Sequence, residues 1–297
     1  MATTSDGTVP FRGHRTWYQV VGELPAAGGK PPLLILHGGP GLPHDYLGDL
    51  ARLADDGRAV VFYDQIGCGK SDHPDDASLW TMPTFVEEVA AVRDALGLER
   101  VHLFGHSWGG WLALEYALGR PSGLASLVLA STCASLPAFA VETRRLKESL
   151  PADVQDVIDH HEAEGSTDDP AYREAAMAYF TQWVCRLDPW PEHVRRSFMN
   201  LSEDVYGTMQ GPEWNVRGNL RDWDATARLG ELQLPVLVTS GRYDEMTLAL
   251  VRPLIDGIPG AESVVFEESA HLAMAEEPDR YREVLESFLA RVEEALA

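Results

Sequence analysis

Short, wholly apolar runs alternate with stretches of helical spacing through the first third of the chain. Arg15–Val21 reads as an early strand. Leu33-Leu34-Ile35-Leu36 and Val60-Val61-Phe62-Tyr63 are buried-strand runs, the first ending at a glycine turn and the second at Asp64. Phe85 to Leu96 has helical spacing with acids at its start, where the helix dipole favours them. Val101–Phe104 is a further strand, Trp108–Leu118 a helix rich in Ala and Leu, and Leu127–Leu129 another strand. Strands that are apolar throughout leave no wet face, so they predict a mostly parallel sheet covered by helices on both sides.

The rhythm breaks near Ser135. From there to Asp224 the sequence is helical, polar and sprinkled with aromatics, with no clear buried strand. The strand pattern resumes at Pro235–Val238 and Ser263–Phe266, and a helix over Pro278–Leu296 closes the chain. The expected organisation is a core built from residues 1–134 and 225–297, interrupted by a helical cap over 135–224. A cap of this kind belongs over the carboxyl ends of the strands, the edge at which open α/β sheets bind ligands. Ala26–Gly29 reads as a plain turn before the Leu33 strand.

Composition narrows the class. The chain has 297 residues, 45% of them hydrophobic, which is ample for a core. No stretch reaches the ~18 to 20 apolar residues of a membrane span. Met1–Gly7 is polar and unlike a secretory signal. Three cysteines at wide spacing form neither a disulfide framework nor a zinc pattern, so the expected compartment is the reducing cytoplasm. The formal charge of −22 (24 basic against 46 acidic residues) disfavours nucleic acid and anionic lipid as partners and favours cationic ligands. Most of that charge serves solubility. There is no P-loop, dinucleotide fingerprint or metal-ligand cluster in the sequence, so no cofactor is expected.

Gly105-His106-Ser107-Trp108-Gly109 matches G-x-S-x-G. An apolar strand precedes it and a helix begins directly after, the setting that holds a serine in a strained elbow with its hydroxyl exposed at the sheet edge. Ser107 is therefore the expected nucleophile. His37-Gly38-Gly39-Pro40-Gly41 follows the Leu33 strand, and acyl transfer needs two backbone N–H donors for the developing oxyanion. Trp108, after the nucleophile, and Gly39, in the glycine loop, are expected to supply them. Asp244, past the Val236 strand, and His271, past the Ser263 strand, complete the order Ser, Asp, His. His271 is expected to take the serine proton, with Asp244 holding its tautomer, and activity should rise near neutrality as His271 loses its proton. Asp64 reads as a turn residue, and the adjacent His160 and His161 point apart on a helix. The whole reads as an α/β-hydrolase fold.

At these residues the chain resembles the prolyl aminopeptidases (proline iminopeptidases), closest to the tricorn-interacting aminopeptidase type. The resemblance rests on HGGPG at His37–Gly41, HDYL at His44–Leu47, FYDQIGCGKS at Phe62–Ser71 and the GHSWGG elbow. It continues through GPEW at Gly211–Trp214, RDWD at Arg221–Asp224, GRYDE at Gly241–Glu245 and SAH at Ser269–His271. It implies hydrolysis of an amide after one free N-terminal residue, proline or another apolar residue. It also implies recognition of the free amine by two glutamates, here Glu213 and Glu245. Two carboxylates at one buried pocket repel and are costly to desolvate unless a cation joins them, and an α-ammonium is such a cation. Trp111 stands where the family has a small residue, and it either packs beneath the elbow helix or reshapes the pocket.

The leading expectation is a serine aminopeptidase or amidase whose partner is a small molecule or short peptide with a free amine. An esterase or carbon–carbon bond hydrolase would use the same triad on an uncharged substrate and need no paired acids. A non-enzymatic receptor would not need the triad. Tyr206, Trp214, Trp108 and Phe139 are the expected pocket aromatics. The leaving group and the oligomeric state stay open.

Overall fold

The apolar runs of the first third are strands of one sheet. The structure is a computed structural model, and it describes residues 2–26 and 29–296, so Ala27 and Gly28 of the expected turn lie outside the described residues. Its eight strands are β1 (Thr4–Phe11), β2 (His14–Val21), β3 (Leu33–Leu36), β4 (Val60–Tyr63), β5 (Val101–His106), β6 (Leu124–Ala130), β7 (Val236–Gly241) and β8 (Glu262–Phe266). They lie in the order β1-β2-β4-β3-β5-β6-β7-β8. β1–β2 and β2–β4 pair antiparallel, and every other neighbour pair is parallel.

Alternation across the strands divides the core in two. Leu34, Leu36, Val61 and Leu103 face a layer containing Phe85 and Val89 of α1 (Met82–Ala95), Leu112 of α2 (Trp108–Leu118) and Leu254 of α8 (Leu248–Gly257). Leu33, Ile35, Val60 and Phe62 face the other layer. It holds Leu47, Leu50 and Leu53 of the 3-10 segment His44–Asp56, with Leu285 and Phe288 of α10 (Pro278–Leu296). The central strands are buried on both faces for this reason.

The structure adds one strand and corrects one local expectation. β1 is an added strand whose first five residues are mostly polar and exposed, with only Val9 and Phe11 turned inward, and its pairing with β2 at the sheet edge extends it. α1 begins three residues before Phe85 because the Thr81 hydroxyl accepts from the Thr84 N–H and Pro83 suits the first turn. Its first turn therefore holds no acid. Glu88 is instead buried, accepting from the Thr16 hydroxyl at 2.5 Å and the Ile66 N–H at 2.9 Å.

Between β6 and β7 lie α3 (Leu136–Glu148), α4 (Ala152–Glu164), α5 (Pro170–Trp183), α6 (Glu192–Met199) and α7 (Glu203–Met209). Ser135 and Asp169 cap α3 and α5 through their side chains, each followed by a proline in the first turn. An isolated bridge pairs Ser135 with Asp224, and the Leu136 N–H donates to the Trp223 carbonyl at 2.9 Å, so the two ends of this excursion meet. α9 (Ala273–Glu276) directly follows the loop that carries His271. No described helix is long and apolar enough to cross a membrane.

Candidate active site

Ser107 stands between the last residue of β5 and the first of α2 with φ 55 and ψ −123. A left-handed φ at a residue with a Cβ costs about 1–3 kcal/mol and persists only where the surroundings enforce it. Here the Ser107 N–H donates to the Ala130 carbonyl at 3.0 Å, and the Thr132 hydroxyl donates to the Ser107 carbonyl at 2.9 Å. Gly109 is required by contact: a Cβ there would land on the Leu36 carbonyl of β3. The elbow helix thus rests directly on the strand that leads to the glycine loop.

That loop is tied to the elbow through Gln65. The Gln65 N–H donates to His37 Nε2 at 2.9 Å, so the His37 proton resides on Nδ1, which faces the Gly38 carbonyl at 3.0 Å. Burial pushes His37 down to about 4, which keeps it neutral. The Gln65 amide donates to the His37 carbonyl at 3.0 Å, and its oxygen accepts from the Trp108 indole N–H at 2.8 Å. The Gly38 N–H is taken by the Tyr46 hydroxyl at 2.7 Å. Gly39 has φ +109 and precedes a cis bond to Pro40, and its N–H and that of Trp108 are unengaged among the described residues.

Asp244, in the loop after β7, accepts from His271 Nδ1 at 2.7 Å and from the Met246 N–H at 2.8 Å. The proton is thereby held on Nδ1 and Nε2 is turned toward the cavity that Ser107 also lines. Ser107 and His271 make no hydrogen bond to one another among the described residues. Such bonds are often long in unliganded sites and tighten with substrate. The end of α5 positions both loops, because the Trp183 carbonyl accepts from the Glu245 N–H at 3.1 Å and the His271 N–H at 3.3 Å.

Glu213 and Glu245 line the same cavity, one contributed by the excursion and one by the loop after β7. Glu213 Oε1 accepts from the Tyr206 hydroxyl at 2.6 Å and Oε2 from the Gln210 amide at 2.8 Å. Glu245 is buried, with Oε1 3.7 Å from His271 Nε2 and Oε2 unpartnered among the described residues. Burial raises both glutamates above the usual carboxylate range, Glu245 strongly and with the Glu213 charge adding to it, while a charged His271 draws both back toward the ionised form. For His271, burial pulls the imidazole down, but the Asp244, Glu245 and Glu213 carboxylates outweigh it and hold it up at about 9. The near-neutral value expected for this base is thus displaced upward in the unliganded site.

The cavity has a volume of about 430 Å³. Tyr206 and Trp214 line it, whereas Trp108 and Phe139 do not. Trp111 packs beneath the elbow helix, with ring centroids 6.2 Å from Trp108, 6.0 Å from Phe139 and 5.9 Å from Trp223. Asp64 is buried and organises its turn, accepting from the backbone of His44 and Lys70 and from the His44 ring. His160 and His161 sit on α4, outside the lining of this cavity. Sequence reasoning missed Tyr46, Gln65, Thr132 and Gln210 as parts of this site. The first two fall in quoted motifs, and for the others no local signal exists.

The fold and this constellation define the class. The alpha/beta hydrolase fold family matches residues 31–278, and the protein is a serine hydrolase of that fold. It is 40% identical to the proline iminopeptidase of Heyndrickxia coagulans over 287 residues, 96% of this chain and 98% of that one. Its structure matches that of the Mycobacterium smegmatis proline iminopeptidase with a TM-score of 0.90 at 41% identity, covering 99% of this chain and 100% of the other. It matches VinJ with a TM-score of 0.93 at 42% identity, covering 97% and 99%. The chain belongs to the proline iminopeptidase family.

Proposed function

We propose that the protein is a serine aminopeptidase that removes a free N-terminal residue, proline or another small apolar residue, from a short peptide or an aminoacyl amide. Ser107 Oγ attacks the carbonyl carbon while His271 Nε2 takes its proton, and Asp244 stabilises the imidazolium. The Gly39 and Trp108 N–H groups receive the oxyanion, a donor pair in which each member is worth about 3 kcal/mol in the transition state. His271 then protonates the leaving amine, and water released onto the acyl-enzyme completes hydrolysis. Residues 135–224 act as the cap that closes the site. The buried free cysteines suit a reducing cytoplasm, and the acidic surface disfavours nucleic acid as a partner.

The observation that carries this reading is the convergence of Glu213 and Glu245 on the cavity that holds Ser107 and His271. A buried and a half-buried carboxylate facing one space ask for a cation, and the charged α-amine of a substrate supplies it two bonds from the scissile carbonyl carbon. Leu42, Val184, Phe180 and Leu272 give the cavity an apolar wall for a proline ring. An uncharged ester would leave both acids without a cation.

The test is hydrolysis of L-prolyl and L-alanyl arylamides, free and N-acetylated. Free-amine compounds should be cleaved, N-acetylation should abolish cleavage, and labelling by a fluorophosphonate should vanish in Ser107→Ala. Equal hydrolysis of free and acetylated forms would remove the amine-recognition reading.

A further inference from the structure

Three carboxylates surround one imidazole. Asp244 Oδ1 holds Nδ1 at 2.7 Å, Glu245 Oε1 lies 3.7 Å from Nε2, and Glu213 faces the same space from the excursion. Among the described residues, the other buried polar groups against this end bring no positive charge. The His106 ring, with its centroid 4.6 Å from that of His271, donates from Nε2 to the His271 carbonyl and accepts at Nδ1 from Tyr46, so both its nitrogens are committed in the neutral form. The Tyr206 hydroxyl donates to Glu213, and the buried Tyr179 hydroxyl is unpartnered among the described residues. The arginines lining the cavity, Arg173 and Arg217, are both solvent-exposed.

Without a ligand, the cation nearest to hand for this acidic cluster is the imidazolium of His271 itself. In that form Nε2 carries a proton 3.7 Å from Glu245 Oε1, and it has no lone pair with which to accept the Ser107 proton. We propose that Glu245 keeps His271 protonated in the free enzyme, and that the substrate's ammonium, entering between Glu213 and Glu245, replaces the imidazolium as counter-cation and frees the base. The substrate amine then activates the catalytic machinery as well as anchoring the substrate. The carboxylates that hold His271 at about 9 in the free site support this direction, and a second positive charge beside the ring acts against it.

The proton balance is simple. The ammonium enters with its own proton, the Nε2–H bond breaks as its proton passes to water or buffer, and no bond between heavy atoms changes. Near pH 7, binding a charged amine should therefore release close to one proton per site. An N-acetylated analogue, with no charge to offer, would meet a protonated base, so rejection would show in kcat as well as in KM.

This inference rests on the amine-recognition reading, and two measurements on the wild-type enzyme separate them. The first is calorimetric titration with L-prolinol, which carries the ammonium but no acyl group, at pH 7 in buffers of different ionisation enthalpy. We expect release of close to one proton on binding. Binding without proton release overturns the proposal and leaves amine recognition standing, and failure of L-prolinol to bind overturns the proposal as well.

The second compares pH profiles. Inactivation of the free enzyme by an uncharged fluorophosphonate should have its acid limb at least about one pH unit above that of kcat on an L-prolyl arylamide. Coincident limbs, even with proton release, would assign the released proton to a glutamate and overturn the proposal. Equal cleavage of free and acetylated arylamides would instead sink the amine-recognition reading beneath it.

Discussion

The Tyr46 hydroxyl lies 2.8 Å from Nδ1 of His106 and 2.7 Å from the Gly38 amide, joining the glycine loop to the nucleophile elbow through one oxygen. The proton positions follow by elimination. The His271 carbonyl only accepts, so His106 Nε2 donates to it at 2.9 Å and Nδ1 must accept from Tyr46. Tyr46 in turn accepts from Gly38. Burial and the neighbouring His271 push His106 well below its ordinary value, which keeps the relay in this one state. Three segments of the proposed machinery are thereby held in mutual register.

Tyr46→Phe leaves the Gly38 N–H and His106 Nδ1 without partners, each costing about 1–3 kcal/mol when buried. The expected outcome is a fall in kcat of roughly tenfold or more with KM little changed, because the loop presenting Gly39 loses its anchor while the amine site is untouched. His106→Gln retains a donor and an acceptor and should keep most of kcat, whereas His106→Leu should not. Steady-state kinetics on one arylamide distinguishes these cases. Full kcat in Tyr46→Phe would remove the relay from the account.

Asp244→Asn preserves shape but presents a group that no longer demands the proton on Nδ1. By the logic of a serine triad, kcat should drop by about 10⁴-fold. Circular dichroism would confirm that the fold is retained, and a loss smaller than about tenfold would mean that Asp244 does not orient the base.

Gly109→Ala should destabilise the protein, since the added methyl meets the Leu36 carbonyl and a backbone oxygen in a central strand has little room to yield. Overpacking of this kind costs about 1–3 kcal/mol. A lower melting temperature and lower soluble yield are expected, and wild-type stability would show that the elbow helix can lift off the sheet.

Burial pushes Glu88 up from 4.5 to about 8, against the hydrogen bonds from Thr16 and Ile66 that favour its charged form. A carboxyl whose folded value is raised binds more protons in the native state, so its contribution is full below about 4.5 and is lost as pH rises through 8. Glu88→Gln has no such dependence. Its melting temperature relative to wild type should climb between pH 5 and 8 and level off above, and a constant difference across that range would show that Glu88 does not titrate there.

The legible parts of the molecule were those in which local pattern and environment coincide. Leu33–Leu36 and Val60–Tyr63 are apolar at every position, so they had to be strands buried on both faces. The apolar run Val101–Phe104 and the helical spacing of Trp108–Leu118 place Ser107 between a strand and a helix in the sequence itself, and the structure extends that strand to His106. β1 is not legible in the sequence because only Val9 and Phe11 of its eight residues are apolar and buried, too short an alternation to mark a strand, and the adjacent strand supplies its reason to be extended.

By itself the sequence determined the apolar strands, the excursion between β6 and β7, the elbow and the order of Ser107, Asp244 and His271, because each is read from short local patterns and their succession along the chain. Tertiary structure alone decided which polar atoms meet. Tyr46 and His106 are separated by 60 positions, and His106 and His271 by 165. No periodicity can announce a hydrogen bond between segments brought together by strand order. The same holds for the charge on His271, which depends on how closely Glu245 and Glu213 converge, because Coulomb energy follows distance in space rather than position along the chain.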